Sequence, residues 1–99
     1  MVEVITSDEL CVIRHKQYLY SFNKTFLSEK LWKGLRLLPA FRKSRGVFPL
    51  NSKEANKLDL LFEKIITEKH SDYIYSEDLQ RVYLVELVHF INKLCMNDI

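Results

Sequence analysis

The sequence predicts a mainly helical α+β domain: short N-terminal strands or a β-hairpin, then a short helix, then an antiparallel pair of longer helices. Three observations predict it. β-type residues dominate the first 22 positions. A capping residue (Asn23, Asn51, Ser76) stands before each later apolar-periodic segment. The last segment, LQRVYLVELVHFINKLCM from Leu79 to Met96, spaces its apolar residues by threes and fours on two adjoining arcs.

In chain order, residues 1–22 open with Val2, Val4 and Ile5, followed by a turn at TSDE. Tyr18, Tyr20 and Phe22 then alternate with Leu19 and Ser21, the period of a half-buried strand. Two short strands do not make an independent sheet, so they need a helix to lean on or more strands from elsewhere. Residues 23–33 read as a short helix: Asn23 caps it, Phe26, Leu27, Leu31 and Trp32 form its apolar stripe, and Gly34 stands at the C-cap position. Residues 34–50 read as a connector, punctuated by Pro39, Gly46 and Pro49 and kept at the surface by Arg42, Lys43 and Arg45. Residues 51–70 are the clearest helix, opened by an Asn51–Glu54 capping box and continued by Leu58, Leu61, Phe62, Ile65 and Ile66. Residues 76–96 form the last helix, with Ser76 as its cap and Glu77 and Asp78 in its first turn. The 99 residues make one domain or a fragment of a larger one.

The last helix carries more apolar surface than a hairpin needs. Leu79, Tyr83, Leu87, Phe90 and Leu94 form one seam, expected to pack within the chain on Leu58, Phe62 and Ile65. Leu84, Val88, Ile91 and Cys95 form a second seam, expected to meet its symmetry mate in a homodimer. The alternative is that the N-terminal elements cover the second seam and the chain is a compact monomer.

Hydrophobic residues make up 47% of the chain and charged residues 28%, which suits a globular protein. The net charge of +2 is unevenly spread: residues 24–45 hold seven basic residues against Glu29, a net of +6. Lys30, Lys33, Arg36, Arg42, Lys43 and Arg45, interleaved with Trp32 and Phe41, could grip phosphates and stack bases. The competing reading is a solvated basic loop whose two aromatics belong to the core. No segment reads as a helix-turn-helix recognition element, so sequence-specific DNA binding by this chain alone is not expected.

Cys11 and Cys95 read as free thiols. The N-terminus lacks the pattern of a signal peptide, and no apolar run reaches the roughly 18 residues of a membrane span, so the expected compartment is the cytoplasm. His15, His70 and His89 share no metal spacing. Two glycines leave no phosphate-binding loop and no nucleophile elbow, and the acid pairs Asp8–Glu9 and Glu77–Asp78 suit turns and helix starts. No catalytic, cofactor-binding or metal-binding residues are expected, and the chain does not read as an enzyme.

The phrases FNKTFLSEKLW and FPLNSKEANKLDLLFEKIITEKHSDYIYSEDLQRVYLVELVHFINKL resemble the end of the sensor domain of AraC-type transcription regulators. The matching positions are Phe22, Phe26, Leu27, Phe48, Leu50, Asn51, Glu54, Ala55, Leu58, Tyr75, Leu79 and Arg81, and the resemblance spans residues 18–94. It implies that the two long helices are a dimerisation element, joined in such regulators to an effector-sensing cupin barrel and to helix-turn-helix motifs. Most of the barrel and the DNA-binding motifs have no counterpart in these residues, and the resemblance does not identify the effector. The expected role is therefore assembly or linkage within an AraC-like regulator, against the rival reading of a small basic nucleic-acid-binding protein.

Overall fold

The computed structural model describes residues 1–97. In chain order the elements are β1 (Val2–Thr6), β2 (Leu10–His15), β3 (Tyr18–Asn23), α1 (Lys24–Leu27), α2 (Glu29–Leu37), β4 (Arg45–Phe48), α3 (Ser52–Lys69) and α4 (Ser76–Asn97). The strands form one antiparallel four-stranded sheet in the order β3-β2-β1-β4.

This corrects the expected fold class. The chain is not mainly helical with a hairpin attached; it is an α+β fold, 22% strand and 54% helix, with a continuous sheet under its helices. Two strands account for the difference. LCVIRH carries apolar residues on both faces, Cys11 and Ile13 inward and Leu10 and Val12 outward, which blurs the alternation that marks a strand. RGVF lies in the expected connector, because Arg45 and Gly46 read as loop residues. It becomes a strand by pairing with β1, Val2 opposite Phe48 and Val4 opposite Gly46. A Cβ at Gly46 would stand 2.8 Å from Cζ of Phe48, so the missing side chain makes room for that ring.

The expected helix over 23–33 is broken in two. Asn23 caps α1, its side chain accepting from the Phe26 N–H at 2.9 Å. The break falls at Ser28, whose φ of 106° lies in the left-handed region that favours glycine. Its hydroxyl in turn accepts from the Leu31 N–H and caps α2. Gly34 is not a C-cap: α2 runs through it, and Leu38 ends the helix.

α3 has its capping box, with Glu54 N–H donating to the Asn51 side chain at 2.8 Å and Asn51 N–H to the Glu54 carboxylate at 3.0 Å. Ser76 is the first residue of α4 rather than its cap. Its hydroxyl donates instead to the Glu68 carbonyl at 2.6 Å and ties the two helices at their turn. Lys64 lies over Tyr83 and Lys57 over Phe90, so the helices run antiparallel.

Packing follows from the register. Val2, Val4, Cys11, Ile13, Tyr20 and Phe22 point to one face of the sheet. There they meet Leu58, Phe62, Ile65, Leu84, Leu87 and Ile91 in a single buried cluster. Thr6, also inward, satisfies its hydroxyl by donating to the Lys43 carbonyl at 2.6 Å. The opposite face has no cover among the described residues. Two cross-strand rows lie on it, Leu19–Arg14–Glu3–Val47 and Ser21–Val12–Ile5–Arg45. Leu10, Leu19 and Val47 are exposed there, and Glu3 is held between Arg14 at 3.6 Å and Arg45 at 2.5 Å. No helix among the described residues is long and apolar enough to cross a membrane.

Candidate functional site

The two seams of α4 have different covers. Tyr83 and Phe90 turn to α3: the Lys64 ammonium sits 4.5 Å from the Tyr83 ring centre and the Lys57 ammonium 5.5 Å from that of Phe90. Leu87 and Leu94 of the same seam are buried, as are their expected partners Leu58, Phe62 and Ile65, while Leu79 is half-buried. The second seam, expected to face another chain, is turned inward. Leu84 and Ile91 are 0% exposed and Val88 4%, all within this one chain; only Cys95 is half-buried. The sheet and α2 supply the cover. The helical period shows two arcs, but not that the unexpected strands β2 and β4 widen the sheet enough to reach the second one.

Two polar links on that flank hold α4 to the N-terminal half. Asn92, 7% exposed, accepts from the Ala40 N–H at 3.2 Å. The Arg81 guanidinium lies 4.8 Å from the Phe26 ring centre, donates through Nε to the Phe26 carbonyl, and bonds Glu77 at 2.9 Å and Asp78 at 3.0 Å. The acid pair Glu77–Asp78 thus positions an arginine that stacks on α1.

What remains open on the hairpin is its outer surface. Leu60 on α3 and Val82 on α4 are exposed, 66% and 58%, beside the half-buried Tyr83 and Phe90. Lys64 joins Glu86 across the two helices at 3.3 Å. The surface therefore carries a short apolar strip with the Lys64–Glu86 pair and Lys57 beside it.

Several cations of the basic segment are tied to neighbouring groups. Arg36 donates to the Ser7 carbonyl, Lys33 pairs with Glu29 at 3.2 Å, and Arg45 pairs with Glu3. Arg42 and Lys43 are exposed on the loop before β4, and Lys30 points to a groove beside α4. Trp32 is 6% exposed and Phe41 0%, so neither ring is free to stack on a base.

No group of three or more His, Cys, Asp or Glu side chains among the described residues could hold a metal ion. His15 is buried between a carbonyl and Asp59, whereas His70 and His89 are exposed. Burial pushes the Cys11 thiol up to about 12, partly offset by Arg36, which leaves it an inert packing group. The pair Asp8–Glu9 lies in the β1–β2 turn.

No protein-family model, curated protein or solved structure matches the chain. Its function has to be argued from its surfaces.

Proposed function

We propose that this chain is the dimerisation or linker part of an AraC-like transcription regulator, which supports assembly and catalyses nothing. One observation carries the reading. The sheet has a helical hairpin on one face and an uncovered, partly apolar face on the other, the layering expected of a barrel wall with its dimerisation helices outside. The positions of the resemblance also cohere in space. Phe22, Leu27 and Leu58 are buried in one core, Asn51 and Glu54 cap each other, and Arg81 grips Phe26 from 55 residues away. In this reading the assembly surface is the outer side of the hairpin, around Leu60, Val82 and Tyr83, and the partner is a second copy. Lys64 and Glu86 make that surface self-complementary: across a two-fold axis each copy offers a cation to the other's anion.

Light scattering on the purified chain at micromolar concentration tests this. The expected mass is twice that of one chain, falling to one chain in the Leu60→Glu, Val82→Glu double variant with its helix content kept. A monomeric parent protein overturns the assembly reading. A dimer lost on Leu19→Glu but kept in the double variant moves assembly to the open sheet face.

A further inference from the structure

A second opening lies on the other flank of α4, away from the hairpin's outer surface. It is a groove of about 330 Å³ between α2 and α4. That is the lower end of the range of small-molecule sites, about 300–1,000 Å³. Leu31, Val85 and Val88 line it, and Lys30 and His89 stand on its two walls. The floor is shaped by Gly34. Glycine is a poor choice for the middle of a helix, where it costs backbone entropy. Its missing side chain borders open space, since a Cβ at Gly34 would meet nothing within 4 Å, and a larger side chain there would reach into the groove. The walls are firm, because Leu27, Leu35 and Val88 are also part of the buried core. Lys30 has no carboxylate partner among the described residues, unlike Lys33 one turn on, which pairs with Glu29.

We infer that this groove binds a small apolar carboxylate, its apolar body laid over Gly34 between α2 and α4 and its carboxylate held by Lys30, with His89 on the opposite wall. The apolar lining supplies contact without directional demand, and the single unpaired cation selects the head group. An ammonium compound of the same shape would face Lys30 with like charge, and an alcohol would forgo the charge-assisted hydrogen bond. The inference does not depend on the assembly reading, since it uses the opposite flank of α4.

Isothermal titration calorimetry with three probes of one shape tests it: 4-phenylbutanoate, 4-phenylbutan-1-ol and 4-phenylbutylamine. The carboxylate is expected to bind, the alcohol roughly tenfold more weakly, as befits one lost charge-assisted bond, and the amine not at all. Gly34→Leu fills the groove from its floor and is expected to abolish carboxylate binding while circular dichroism shows the fold kept; Gly34→Ala serves as the milder control. Lys30→Gln is expected to bring the carboxylate down to the level of the alcohol. Three results overturn the proposal: no heat from the carboxylate with the parent protein, equal binding of amine and carboxylate, or unchanged carboxylate binding in folded Gly34→Leu. If Gly34→Leu instead halves the mass in solution and the parent binds no carboxylate, the groove is an interface between copies and the proposal fails.

Discussion

His15 Nε2 lies 2.9 Å from Asp59 Oδ1, and this pair joins the end of β2 to α3. The ring is 1% exposed and lies stacked 6.3 Å from Phe62. Its other nitrogen, Nδ1, donates to the Met1 carbonyl at 3.1 Å. A carbonyl only accepts, so the N–H that meets Met1 is on Nδ1. Lys16 bonds the second oxygen of Asp59 at 3.1 Å. The hydrogen bond from Lys16 holds the Asp59 carboxyl below its usual range; burial opposes it and is next in size, and the hydrogen bond from His15 adds a further, smaller lowering.

Stability should therefore decline in acid through Asp59. Its folded pKa lies below its unfolded value of about 3.8, so its contribution is complete above that value and is lost as pH falls through the folded pKa. Urea midpoints measured from pH 6 down to pH 2 are expected to fall over the lower part of that range, and to fall less in Asp59→Asn. Removing the ring is more severe: His15→Ala empties a core site and breaks both bonds, an expected loss of about 2–4 kcal/mol in denaturant unfolding.

Ile91 distinguishes core from interface. It is fully buried under the sheet, so Ile91→Asp places an unpaired carboxylate in the core at a cost of several kcal/mol, a large share of the roughly 5–15 kcal/mol that holds a small domain together. The expected outcome is loss of cooperative unfolding and of helix signal in circular dichroism. A variant that stays folded and merely loses its dimer would put Ile91 back at an interface between chains.

Asn92 and Arg81 should show the link between the two halves of the chain. Asn92→Ala leaves the buried Ala40 N–H without its acceptor, for an expected loss of about 1–3 kcal/mol. Arg81→Ala removes a stacked ring contact and the bond to the Phe26 carbonyl, for about 1–2 kcal/mol. Amide hydrogen exchange is the sharper readout: in Arg81→Ala the protection lost should concentrate in α1 and the first turns of α4.

Binding to nucleic acid is expected to be weak and non-selective. With Trp32 and Phe41 in the core, only exposed cations such as Arg42 and Lys43 remain to meet phosphates. Fluorescence anisotropy with a labelled duplex should show attraction that fades steeply between 50 and 200 mM salt and does not depend on sequence. Sequence-selective nanomolar binding at physiological salt would contradict this.

The legible parts of the fold were those decided by neighbours in sequence. The Asn51–Glu54 box, the Asn23 cap and the apolar spacing of α3 are settled within a few residues, and they stand where the local pattern puts them. β4 is settled by a strand at the far end of the chain, and RGVF has no alternation of its own to announce it. The left-handed Ser28 was illegible for a related reason: an uninterrupted helix and a broken one share the same apolar stripe. On α4 the two arcs could be read, but the cover of each depends on how wide the sheet is. The groove over Gly34 left only one trace, a glycine where helix propensity asks for something else.

The position of β1 in the sheet has a consequence for how the molecule comes together. β1, β2 and β3 follow one another and can pair as a meander as soon as they are made, by short and fast loop closures. The other edge of β1 has to wait for Arg45–Phe48, beyond both short helices. Through that interval the chain presents a bare strand edge beside an apolar face, the arrangement most apt to recruit the wrong partner. The late return of four residues closes that edge, and with it the period in which a newly made copy is most exposed to aggregation.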